Sequence, residues 1–338
     1  MKYISNRNIG WLAGFLLTAC QSEVVTVPDN DNALQVLSVG LNQEAGTRSE
    51  VTTDGIKQIK VYTTTEAHAE ITTNTLATYT NDGNAWSCTA PPELTAASYN
   101  IFAYYPPTRG DGGEAVTVTN STTGEHTIKV YIYAEDAFGS PKQDDYLYNY
   151  QTEKKDDGTV VYKQIKASTS SKTVSFSMNH ALSKVSFQIT KDASATETLT
   201  LTQIDIIGKT NSLQTGTGDM YLKTGGLVGL QSKDQISLTG SVALQNTLTS
   251  PNITALVAPM SKEEKVLSFR LTVNVDGVSR VFETGTVKDE APTWPGVKWL
   301  AGKHYVYKIK VSKMGGAING VSVYDWQKDS DQNTQVGI

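Results

Sequence analysis

Apolar residues in this chain recur at every second position, in short runs, and almost nowhere at the three-to-four spacing of a helix. Such alternation buries one face of a strand and leaves the other to solvent, so each run needs a partner sheet. Runs of this kind occupy residues 34–41, 55–62, 98–105, 126–133, 185–189, 199–207, 268–275, 305–311 and 321–326. Turn chemistry separates them: Asn81-Asp82-Gly83-Asn84, Asp156-Asp157-Gly158 and Asp276-Gly277. Pro106-Pro107 stops the most apolar run. The expectation is an all-β chain of β-sandwich type, and 338 residues favour two such domains, joined near residues 160–175.

The N-terminus carries an address. Lys2 and Arg7 precede an apolar run over residues 9–17, too short to span a bilayer as a mature helix. Leu17-Thr18-Ala19-Cys20 then matches a bacterial lipobox. Small residues let the signal peptidase bind, and the sulfur of Cys20 receives diacylglycerol. Residues 1–19 are therefore expected to be a signal peptide, and Cys20 a lipid anchor. The formal charge is −5, and −7 once Lys2 and Arg7 leave with the signal. That acidity argues against nucleic acid and offers no basic patch to a membrane surface. With Cys20 lipidated, Cys88 has no disulfide partner and is expected to be a small buried hydrophobe.

No catalytic constellation stands out. His68, His126, His180 and His304 are scattered and none has metal-ligand spacing, so no metal and no cofactor are expected. His180 reads as a structural histidine near a turn. Asp144 and Asp145 are adjacent on an extended segment and point to opposite faces, which a glycosidase pair cannot do. They read as surface or loop positions. Residues 29–32 lack the glycine and distal glutamate of a calcium loop. Arg109-Gly110-Asp111 reads as turn chemistry. The chain is expected to bind or assemble rather than to be an enzyme.

Several segments together resemble the fimbrillin family of Bacteroidota, the subunits of type V pili. They are residues 99–106 (YNIFAYYP), 145–148 (DYLY), 176–185 (FSMNHALSKV) and 299–307 (WLAGKHYVY), in the family's order, with the closing run 321–326. The resemblance implies two transthyretin-like β-sandwich domains in tandem, residues 49–165 and 166–338, after a lipidated segment, 20–48. It implies a structural pilin (fimbrial subunit) supporting cell adhesion, exported as a lipoprotein precursor to the cell surface. A trypsin-like, arginine-specific protease then cuts between Arg48 and Ser49. The cut releases a removable strand, and a neighbouring pilin subunit supplies a replacement by strand exchange. The residues expected to face the core from that strand are Leu37, Val39 and Leu41. The donor in the family is C-terminal, where this chain offers only Val336 and Ile338 after Trp326. The alternative is a lipid-anchored adhesin or glycan-binding protein, at a pilus tip or alone, with a host or glycan ligand.

Overall fold

The computed structural model describes residues 31–42, 55–83, 85–110, 115–138, 141–247, 253–260, 267–284, 297–312 and 315–325; at 160, 315 and 317–325 only the backbone is described. Among these residues every regular element is a strand.

The first sheet is built mainly from the N-terminal half. It contains β1 (Gln35–Leu41), β2 (Gln58–Thr65), β3 (Leu76–Asn81), β4 (Trp86–Ser87), β5 (Tyr99–Tyr105), β9 (Leu147–Asn149), β12 (Ile165–Ala167) and β13 (Thr173–His180). Its order is β1-β13-β9-β5-β2-β3-β4, with β12 also paired to β5. The ends of this path are drawn together. Leu34 N–H donates to Pro92 O at 3.0 Å, and Leu94 N–H donates to Asn32 O at 2.8 Å. The sheet therefore rolls around a core that includes Val36, Val39, Ile59, Val61, Ile101 and Phe176.

Sequence explains why β5 is central. Tyr99-Asn100-Ile101-Phe102-Ala103-Tyr104 is nearly continuous in apolar character and buried on both faces. Tyr99, Ile101 and Ala103 turn into the rolled core. Phe102 and Tyr104 turn outward into a second core with Tyr62, Tyr146, Ile128, Val130 and Met220. That second core is closed by another sheet: β6 (Val118–Thr119), β7 (Thr127–Ile132), β16 (Leu213–Tyr221), β17 (Leu227–Val228) and β18 (Gln231–Lys233). A small hairpin, β10 (Thr152–Lys154) with β11 (Val160–Tyr162), turns at Gly158, whose φ is +85°.

The C-terminal half packs two further sheets face to face. One is β20 (Ile253–Val257), β14 (Ser183–Lys191), β23 (Lys303–Ser312) and β24 (Gly315–Asp325). The other is β22 (Val278–Glu283), β21 (Ser268–Val275), β15 (Leu199–Ile207), β19 (Gln235–Ala243) and β8 (Glu135–Ala137). Between them lies an aromatic centre. Phe187, Phe269 and Tyr307 have ring centroids 4.6–5.9 Å apart, and Trp299 Nε1 donates to Tyr307 Oη at 2.9 Å.

Two features differ from the sequence expectation. The join near residue 165 falls inside the first sheet, because β12 and β13 pair with β5, β9 and β1. The chain leaves that sheet at His180 and enters the next at Ser183. Residues 213–221 carry Gly216 and Gly218, which in sequence imitate a loop, yet they form a nine-residue strand. Its partner is β7, far earlier in the chain. Gly216 and Gly218 sit within it, and a Cβ at Gly218 would meet Val228 O at 2.6 Å. Here glycine serves close backbone approach rather than a turn.

Candidate assembly site

β1 is the one strand of the first sheet that arrives from outside the continuous run of residues 55–180. It pairs with β13 in parallel, from Gln35 opposite Thr173 to Leu41 opposite Met178. Gln35 N–H donates to Lys172 O at 2.9 Å, and Asn42 N–H to Met178 O at 2.8 Å. On the exposed face Ser38 Oγ donates to Ser175 Oγ at 2.9 Å. Beyond its paired length the strand is held from the other side too, through the Asn32 and Leu34 bonds to Leu94 and Pro92. Buried Tyr79, from β3, adds a third tie: its hydroxyl donates to Leu34 O at 2.7 Å. Burial raises the Tyr79 phenol far above its usual value, so it stays a protonated donor.

The side chains that β1 buries are Leu34, Val36 and Val39, with Leu41 packed against the same core. Leu37 does not join them. It is 65% exposed, whereas Val39 is 7% exposed. The cause is a register shift between Val36 and Ser38, which leaves Leu37 as an extra, unpaired residue. Each residue inserted into a strand reverses the inward phase. Leu34 and Val36 therefore face the core before the bulge, and Val39 and Leu41 after it. The expected face was correct only downstream of the bulge. Burying three such side chains contributes roughly 5–9 kcal/mol as an upper bound. A strand replacing β1 has to bury a comparable surface.

Cys20, Arg48, Ser49, Val336 and Ile338 lie outside the described residues. Leu37, Val39 and Leu41 are brought to one strand, with Leu37 on its solvent side. Leu34, Val36 and Tyr79 were missed. The Leu34-x-Val36 spacing was visible in the sequence, but its phase conflicts with Val39 and Leu41 unless a bulge is invoked.

Elsewhere several polar side chains are engaged within the fold. Among the described residues no group of three or more His, Cys, Asp or Glu is placed to hold a metal ion. Asp145 is not a surface residue: it is buried, and both carboxylate oxygens lie 2.9–3.0 Å from His180 Nδ1. Asp144 turns the other way and accepts the Gly110 N–H. The two carboxylates are engaged with different partners. His126 is fully buried against Tyr62, Phe102 and His68, with its Nδ1 accepting from Ser121 N–H at 3.1 Å. Burial first, and His68 second, push its ring down to about 4. Cys88 is half-buried and burial raises its thiol, which suits packing better than reactivity. Arg109 lies over the Tyr131 ring at 6.0 Å.

The first sheet is a rolled all-β sheet whose core is completed by β1, a strand that lies ahead of the rest of that sheet in the chain. The chain belongs to the fimbrillin-like family: the model so described matches residues 47–326. A search of curated proteins found no match. Among solved structures, a fimbrial protein from Bacteroides vulgatus is similar with a TM-score of 0.56 and 12% identity, covering 87% of this chain and 99% of that one. A candidate cell adhesion protein from Bacteroides ovatus gives 0.55 and 15%, covering 88% and 99%. Another from Bacteroides uniformis gives 0.51 and 19%, covering 88% and 100%. At these identities the likeness shows the fold. Family membership supports a pilin or adhesion role at the cell surface, in assembly with other pilin subunits.

Proposed function

We propose that this chain is a structural, non-enzymatic pilin, exported as an outer-membrane lipoprotein precursor anchored through Cys20. Cleavage after Arg48 by an arginine-specific, trypsin-like protease frees the segment that carries β1. A strand from another subunit then occupies the vacated groove, and repetition of that step builds a pilus. The observation that carries this reading is the placement of β1. It lies before the family-matched residues 47–326, yet its Leu34, Val36 and Val39 complete the first core. Loss of β1 would leave the β13 edge and the Pro92–Leu94 segment without their partners, a template for strand addition. N-terminal sequencing of pilus material tests the cleavage step. The expected start is Ser49; a start at Cys20 in polymerised protein overturns it.

The polar tail favours a second reading. Within residues 327–338 only Val336 and Ile338 are apolar, so this stretch alone is a weak donor strand. A subunit that accepts a strand without donating one would sit at a pilus end as a lipid-retained adhesin or glycan-binding protein. Removing residues 327–338 separates the two: polymer length falls if the tail is the donor and is unchanged if it is not.

A further inference from the structure

We propose that Tyr79 is the residue that reads the main chain of whatever strand occupies the β1 seat, and that it does so without regard to that strand's side chains. This rests on the strand-exchange reading only for the incoming strand; for β1 itself it stands on the structure alone.

Tyr79 is fully enclosed in the first core, and its hydroxyl donates to a main-chain carbonyl, that of Leu34, at 2.7 Å. A buried phenol with no acceptor is costly, because it gave up water to enter the core. Any strand can present a carbonyl at this point, so the contact selects for an extended backbone rather than for leucine. It also selects for reach. Leu34 lies before the first β1–β13 pair, Gln35 with Thr173, at the point where the sheet closes on Pro92 and Leu94. An occupant that pairs with β13 but stops short of the Leu34 position leaves three groups without partners: the Tyr79 hydroxyl, the Pro92 carbonyl and the Leu94 N–H. Selection by side chain falls to the Leu34, Val36 and Val39 positions, whose side chains face the core. A backbone contact at the Leu34 end, added to apolar side-chain positions along the seat, would let one seat hold β1 first and a strand of different apolar sequence afterwards.

The experiment compares the intact chain with its Tyr79→Phe variant by amide hydrogen exchange. Phe keeps the ring in the core and removes only the hydroxyl. The expected result is about tenfold faster exchange over residues 34–42, with β2 and β5 unchanged. Tyr104→Phe is the control: it removes a comparable buried bond, Tyr104 Oη to Val116 O at 2.6 Å, on the other face of the sheet. It is expected to leave residues 34–42 alone. Unchanged exchange over 34–42 in Tyr79→Phe, or equal acceleration throughout the sheet, overturns the proposal.

A second arm uses chain cut after Arg48 and a synthetic peptide of residues 32–42, alongside one with Leu34 replaced by Val. Tyr79→Phe is expected to weaken both by the same factor, about tenfold. Unequal factors overturn backbone reading. If the cut chain binds neither peptide even with Tyr79 present, strand exchange fails, while the first arm still decides the role of Tyr79.

Discussion

The two largest cores of this molecule are closed in different ways. The buried residues of the C-terminal core lie between Val185 and Val311, with β8 and Phe138 added from earlier in the chain, and its centre is a cluster of Phe187, Phe269, Trp299 and Tyr307. The N-terminal core has all but one of its strands between Gln58 and His180, and takes the last from β1. The edges differ in the same sense. β22 closes one edge of the C-terminal sandwich: Phe282 packs against the core, while Arg280, Val281 and Glu283 are exposed. The exposed charges of Arg280 and Glu283 work against further pairing at this edge. β1 instead inserts apolar side chains and is bonded on both sides. The C-terminal core borrows β8 from the interior of the chain, whereas the N-terminal core borrows β1, a part that a single backbone cut would separate.

That contrast can be broken at several points. Deleting residues 1–48 with no replacement strand should have the largest effect, costing the first core roughly 5–9 kcal/mol at most. Hydrogen exchange should then show lost protection in β2, β3 and β5 and retained protection in β14, β15 and β21. Equal loss in both halves would erase the distinction. Phe269→Ala should do the converse, costing about 3–5 kcal/mol in the C-terminal core, with β1 still protected; thermal unfolding followed at Trp299 reads it.

Acid should act on the interface between the first sheet and β7. His126 is held neutral, its ring pushed from 6.5 down to about 4. The unfolded chain takes up a proton as pH falls below 6.5, and the folded chain resists until about 4. Stability is therefore lost across that window, by on the order of 2–3 kcal/mol, and is level above it. His126→Gln should flatten the slope in denaturant titrations between pH 7 and 4. An unchanged slope would remove His126 from the account. The finest test is the bulge. Val36→Ala should cost about 2 kcal/mol and Leu37→Ala no more than about 0.5 kcal/mol. Reversal of that order, measured by urea unfolding, would restore the uninterrupted alternation.

Much of the strand content was legible because alternation is a local signal. Residues 199–207 and 268–275 emerge with the bounds read from their periodicity. What was illegible depended on partners distant in sequence. Nothing near Leu37 announces that β13 pairs with Val36 and Ser38 but skips the residue between them. Nothing near His126 indicates that β7 will pair with β16, and the glycines of β16 imitate a loop. Asp145 looked exposed because its partner, His180, lies 35 residues away. Tyr79 carried no signal at all, since a phenol bonded to a carbonyl looks in sequence like any core tyrosine.

The central claim is that β1 must leave its seat before subunits join. Ser38 and Ser175 are opposed in the β1–β13 ladder, with hydroxyl oxygens 2.9 Å apart on the exposed face. Replacing both with cysteine, in a Cys88→Ala background, gives a bond that locks the strand in place even after cleavage at Arg48. Polymerisation of the cut, oxidised chain should be abolished and should return on reduction. Polymers that form equally well with the bond intact would contradict the account.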